Sequence, residues 1–226
     1  MPHLLLIDLP TERTTAATDL LLAVLATGIA LWLHRMGSGG DRFRVRIWTA
    51  LFALLGLAAG LGAVAHGLQM PLWLNDLLWQ PLNLAMGLVV ALFVVAASVD
   101  GFGLPIARRL LLPLLAIGVV FYLVTCLLPG GFLLFILYEG LALLLVLGLY
   151  LRLMFVRKGP GAGWMLAGVV VTLLAAVLQA SPVAVTLIWP FDHNGIFHLV
   201  QMIGVVLLAC GVRTTLLAAE SEKIEG

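Results

Sequence analysis

The sequence predicts an all-α membrane protein: a bundle of seven transmembrane helices, N-terminus outside and C-terminus in the cytoplasm. Three observations carry this. Of 226 residues, 63% are hydrophobic and only 10% charged, with mean hydropathy +1.17, whereas a soluble domain needs about 25% charged residues to cover itself. The apolar residues gather into seven runs, each long enough to cross a hydrocarbon core of about 30 Å at about 1.5 Å per residue. Eleven of the twelve Lys and Arg fall on one side of the bilayer that these runs define. Water-soluble enzymes, disordered chains and coiled coils are excluded by the first observation, and a net charge of +1 offers no field for nucleic acid. Alternating ten-residue segments of the β-barrel kind are not present.

In order, the runs are Ala16–His34, Ile47–Leu68, Leu77–Val99, Leu110–Leu128, Phe132–Leu151, Ala162–Ala180 and Ile196–Leu217. Pro71, Pro105, Pro129 and Pro190 fall between them, and Gly130-Gly131 and Gly159-Pro160-Gly161 mark tight loops. Pro81 and Pro113 are expected in or near the first turns of the third and fourth helices, where proline is tolerated. Short loops leave no room for a second domain, so residues 1–226 form one transmembrane unit.

The basic residues orient it. Arg35, Arg42, Arg44 and Arg46 lie between runs one and two, Arg108 and Arg109 between three and four, Arg152, Arg157 and Lys158 between five and six, and Arg213 and Lys223 near the C-terminal end. Only Arg13 lies opposite. The excess of positive charge marks the cytoplasmic side. Residues 1–15 do not read as a secretory signal, because Asp8, Glu12 and Arg13 interrupt any apolar stretch, and they are expected on the outer surface. Short loops and richness in Ala, Leu and Gly point to a bacterial inner (plasma) membrane. Cys126 and Cys210 sit too far apart in depth for a disulfide. Trp32, Trp48, Trp73, Trp79, Trp164 and Trp189 all fall near run ends, as in an aromatic belt. Gly56 and Gly60 form a small-xxx-small helix-packing pair.

With that orientation, polar residues concentrate toward the outer end: Asp19, His66, Asn75, Asp76, Asn83, Tyr138, Glu139, Asp192, His193, Asn194, His198 and Gln201 among them. Polar groups in hydrocarbon are costly without partners, so their clustering predicts a shared cavity open to the outer face. The sharpest constellation joins three helices. His66 lies about one turn before the end of the second run, Asp76 opens the third, and His198 lies in the first turn of the seventh, with Asn194 one turn earlier on its face. Two imidazoles and a carboxylate at one depth match a catalytic zinc site with an open position for water, whose pKa the metal would bring to about 7. Metal candidates are therefore His66, His198, Asp76 and His193, the last only from the loop before the helix. Asp76 is a ligand or a base. Glu139, eight residues into the fifth run, is the other catalytic candidate, as general base or as the carboxylate that orients an imidazole. Asn83, Asn194, Gln201 and Tyr138 are expected to line the cavity. The plainer alternatives are that Asp76 caps a helix and that the histidines are hydrogen-bonded packing residues or interfacial groups.

Seven spans, a His ending span two, an Asp ten residues later and Asn194-x-x-x-His198 opening span seven resemble the CREST superfamily of membrane hydrolases, which includes alkaline ceramidases and progestin/adipoQ receptors. The family pattern is Ser-x-x-x-His in span two, Asp in span three and His-x-x-x-His in span seven. The resemblance implies that His66 and His198 bind zinc and that Asp76 acts beside the metal-bound water. Gly62 stands where the family has its Ser, and Asn194 where it has the first span-seven His.

Two functions follow as expectations. One is a zinc-dependent hydrolase that cuts an amide or ester of a lipid-like substrate entering from the bilayer. The other is a non-catalytic transporter or small-molecule sensor that uses the same cavity. Haem between His66 and His198 is a third arrangement, disfavoured because no second histidine pair exists to carry electrons across the bilayer. A retinal Schiff base is excluded, since the only lysines are Lys158 and Lys223, neither within a run.

Overall fold

The computed structural model describes residues 5–36, 41–128 and 131–225. Among them are seven helices long and apolar enough to cross a membrane: α1 (Pro10–Met36), α2 (Arg42–Gly67), α3 (Leu72–Phe102), α4 (Leu104–Leu127), α5 (Gly131–Arg152), α6 (Ala162–Gln179) and α7 (His193–Glu225). Each expected run has its helix. In hydrocarbon the helix meets every backbone hydrogen bond within its own segment, so a long apolar run has little choice.

The ends differ from the expectation, with consequences. α3 starts at Leu72, directly after Pro71. Asp76 therefore sits in the second turn instead of opening the helix, and a capping role for it falls away. Pro81 and Pro113 lie inside α3 and α4, not in their first turns. α5 runs on through a π-helical turn, Leu153–Arg157, which ends at Lys158 in the left-handed conformation.

The helices pack where small residues let backbones approach, as expected in lipid, where dispersion contacts replace the hydrophobic drive. A Cβ at Gly87 of α3 would lie 2.6 Å from the Gly118 carbonyl oxygen of α4. α1 packs on α2 and α7, α6 on α7, and α3 on α2 and α4. α4 buries only Ala107 and Gly118 among its described residues; Leu111, Leu114 and Leu115 pack against the core, while Leu112, Val119, Val120, Leu123 and Leu127 are exposed. The core gathers around Trp48, which is 1% exposed, stacked on Phe52 and edge-on to Phe93. Trp48 thus leaves the expected aromatic belt, and Trp79 packs against a histidine ring. Trp32, Trp73, Trp164 and Trp189 are exposed, as the belt requires. Cys126 and Cys210 are both free thiols.

Each end of the bundle has its own fastening. At one end Arg44 pairs with Asp41 at 2.8 Å and with Asp100 at 2.9 Å, and Tyr150 donates to Asp100 at 2.7 Å. This joins α2, α3 and α5. At the other end the N-terminal segment bridges the residues after α2 through Leu6 and Leu68. A two-stranded hairpin, β1 (Val185–Thr186) with β2 (Pro190–Phe191), fills the connection between α6 and α7. Thr14 holds the hairpin to α1 by donating to the Pro190 carbonyl at 2.7 Å.

Candidate functional site: a cavity within six helices

A cavity of about 560 Å³ opens inside the bundle, lined by residues of α1, α2, α3, α5, α6 and α7. Its walls are mainly apolar, and its polar residues arrive on regular helical stripes. On α7, Asn194, His198, Gln201, Val205 and Leu208 recur at the spacing of one helix face. On α5 the facing residues are Phe135, Glu139 and Ala142.

His198 and Asp19 form the innermost polar pair. His198 Nε2 lies 3.1 Å from Asp19 Oδ1, and the two residues are 8% and 4% exposed. The other ring nitrogen, Nδ1, lies 3.1 Å from Thr18 Oγ1. A threonine hydroxyl has one proton. Thr18 Oγ1 is 3.0 Å from the Thr14 carbonyl and 2.9 Å from that of Thr15, and both can only accept. With the hydroxyl donating to the backbone, it accepts from His198 Nδ1–H. One proton then joins Nε2 to the Asp19 carboxyl. On either atom it leaves the pair without net charge, as a site in hydrocarbon requires.

Asp19 reaches this position because α2 offers no side chain there. A Cβ on Gly62 would lie 2.8 Å from Asp19 Oδ2. The residue that departs from the CREST pattern thus makes room for an acid from α1.

His66 is held by a different carboxyl. Its Nδ1 lies 2.6 Å from Glu12 Oε2. Glu12 sits in the first turn of α1, where the helix dipole favours a negative charge. The imidazole meets the Trp79 ring edge-to-face, with centroids 5.4 Å apart. Trp79 Nε1 donates to Asn75 Oδ1 at 2.8 Å, and Asn75 donates to the Ala65 carbonyl at 2.9 Å, one of the last carbonyls of α2. The ring orientation is therefore set from both sides; Nε2 has no partner among the described residues, and His66 lines the cavity. Asp192 completes the fastening of α7: its Oδ1 accepts from Gly195 N and from Thr15 Oγ1, both at 2.9 Å.

Two fully buried polar atoms of lining residues lack partners among the described residues. Gln201, 8% exposed, has no bond to its amide oxygen, and Thr172 has none to its hydroxyl. Glu139 reaches the cavity between Phe135 and Ala142 with no ion pair or hydrogen bond.

The expected convergence forms only in part. His66, His198, His193, Asn194, Gln201, Asn83 and Glu139 all line the cavity, and His193 does so as the first residue of α7. Asp76 does not: it is exposed on α3 and outside the lining. Tyr138 also turns away, stacked on Phe121 of α4 with centroids 4.2 Å apart. It neighbours Glu139 on the helix, so when Glu139 faces inward Tyr138 points about 100° aside. Asp19 and Glu12 are the acids that the sequence reading left out of the site. Asp19 carried a usable signal, an ionisable residue inside the first apolar run. Glu12 carried none, since only the folded N-terminal turn brings it to His66.

The described residues offer few placed donors for the expected zinc. Among the described residues no three His, Cys, Asp or Glu are placed to hold a metal ion. Both nitrogens of His198 and the Nδ1 of His66 are already engaged, so a single imidazole nitrogen of this pair is left without a partner among the described residues.

DUF6962, a family of unknown function, matches residues 14–216. The chain belongs to this family. No curated protein and no solved structure matches it. In this DUF6962 member the matched region contains all seven helices in whole or large part, and every described cavity residue. Glu12 alone, among the residues that fasten the site, precedes it.

Proposed function

We propose that the chain is a non-catalytic seven-helix membrane protein, a sensor or transporter, that receives a small amphiphile in its central cavity. One observation carries the reading: an apolar chamber of about 560 Å³ whose imidazoles and carboxyls gather at the end where α1, α3 and α7 begin. That volume is in the usual range for a small-molecule site, roughly 300–1,000 Å³. The His198–Asp19 and His66–Glu12 pairs are each held by neighbours, which suits recognition by a rigid polar surface. The asymmetry of basic residues supports a plasma membrane with this polar end outside. The test is extraction of protein purified in a non-lipid detergent, followed by mass spectrometry. A stoichiometric amphiphile is expected, and it should be absent from Asn83→Trp, which fills the polar end. Wild-type protein without any bound molecule, and without saturable uptake of one, overturns the reading.

The hydrolase reading keeps one specific support. Glu12 on Nδ1, with Nε2 left without a partner among the described residues, is the arrangement of an oriented general base. In that reading His66 Nε2 takes a proton from water as its oxygen attacks an acyl carbon. The imidazolium then returns the proton to the departing amine or alcohol. The CREST resemblance adds His66 and His198 to this reading, while Gly62 and Asn194 stand against it. Hydrolysis of acyl-amide or acyl-ester probes that is lost in His66→Gln would favour it over the binding protein.

A further inference from the structure

The cavity's charges are unbalanced in a particular way. Its lining contains Asp19, Glu139 and three histidines, and no Lys or Arg among the described residues. Asp19 is matched by His198, and Glu12, just beyond the wall, by His66. His193 has no hydrogen bond or ion pair of its own and stands at the first turn of α7. Glu139 is left over, on the apolar face of α5 that carries Phe135 and Ala142. A lone carboxyl on an apolar wall is costly when charged, and the usual remedy is a paired cation. No side chain of the cavity supplies one.

A second observation, independent of the acids, also points to a ligand. Gln201 is more than nine-tenths buried, lines the same cavity from α7 and has no partner for its amide oxygen. The last torsion of this side chain is broad, so a half-turn of the amide exchanges the oxygen with the NH2 group and can present an acceptor to the cavity. A buried acceptor left unpaired is destabilising, so an N–H donor brought by a ligand is favoured there.

Resting on the amphiphile-binding reading above, we infer that the cavity is selective for a primary-amine amphiphile. The Glu139 carboxylate is the counter-charge to its ammonium group, Gln201 is a second hydrogen-bonding point, and the apolar tail lies against the aromatic and aliphatic walls. An ammonium carries several N–H donors and no acceptor, which fits a lining rich in acceptors. A carboxylate head meets repulsion from Glu139, and an alcohol head leaves its charge unmatched.

The experiment is calorimetric titration of the full chain in lipid nanodiscs at neutral pH, with protein-free nanodiscs subtracted. The probes are octylamine, octanol and octanoate. Octylamine is expected to bind at least about tenfold more tightly than the other two, and Glu139→Gln to remove that preference. Asp76→Asn, on the exposed side of α3, should leave the preference intact. Equal binding of amine and alcohol by the wild type, or an amine preference that survives Glu139→Gln, overturns the amine inference and leaves the cavity reading standing. Failure of all three probes to bind overturns both.

Discussion

Gly62 and Asp19 meet across the α1–α2 interface so closely that a Cβ on residue 62 would lie 2.8 Å from the Asp19 carboxylate. The missing side chain on one helix and the buried acid on its neighbour are parts of one arrangement, and His198 of α7 is the third, 3.1 Å from Asp19. This contact makes Gly62→Ser the most informative change in the protein. The added hydroxymethyl must displace the carboxyl that holds His198. Overpacking of this kind costs about 1–3 kcal/mol, so a clear fall in the thermal midpoint is expected in detergent. Combined with Asp19→Ala, the loss should be less than additive. Additive losses would show that the two residues do not share space.

Asp19 and His198 should be strongly coupled. Both are buried, and each leaves the other unpaired when removed. Asp19→Ala and His198→Ala are each expected to destabilise by about 1–3 kcal/mol. The double variant should lose less than the sum, with a coupling of about 0.5–3 kcal/mol read from a double-mutant cycle. A coupling near zero would remove the pair from the account.

Asn75 joins α3 to α2 with one side chain: it satisfies the Ala65 carbonyl at the end of α2 and accepts from Trp79, which packs on His66. Asn75→Ala should cost about 1 kcal/mol in stability for the lost hydrogen bonds. It should also loosen Trp79, seen as a red shift and greater quenching of tryptophan emission relative to the wild type. A Trp79→Phe background, in which the emission change disappears, confirms the source.

The Arg44–Asp100–Tyr150 cluster at the opposite end is a buried charge network, with Arg44 and Asp100 side chains 12% and 11% exposed. Removing one partner strands the other. Arg44→Met should therefore be severely destabilising, by about 3–5 kcal/mol. Arg44→Met with Asp100→Asn should recover much of the loss, because the buried charge is gone and only the more exposed Asp41 is left unpaired. Unfolding midpoints of the two variants decide this.

Three of the four ring nitrogens of His66 and His198 are already committed to protein partners, so metal is expected to contribute nothing to the fold. Protein purified without chelator is expected to contain zinc well below one equivalent, and excess EDTA should leave its thermal midpoint unchanged. One tightly held zinc per chain, lost in His198→Ala, would restore the metal-centre expectation.

Much of this protein was legible in one dimension. A bilayer sets the length of a helix, so seven apolar runs were enough to count α1 to α7, and prolines and glycines were enough to separate them. The depth of His66, His198, Asn83 and Gln201 also follows from position along a run, and all four line one cavity. What sequence could not settle is rotation about each helix axis and the exact turn at which a helix begins. Depth alone made Asp76 and Asp19 equal candidates. α3 starts at Leu72, which leaves Asp76 exposed, while the missing side chain of Gly62 lets α1 bring Asp19 against His198. Rotation likewise separates Glu139 from Tyr138 and takes Trp48 from the belt into the core. Hydropathy is a sum along the chain and determines how many helices cross; which carboxyl meets which imidazole depends on close packing between helices, and only the assembled bundle decided it.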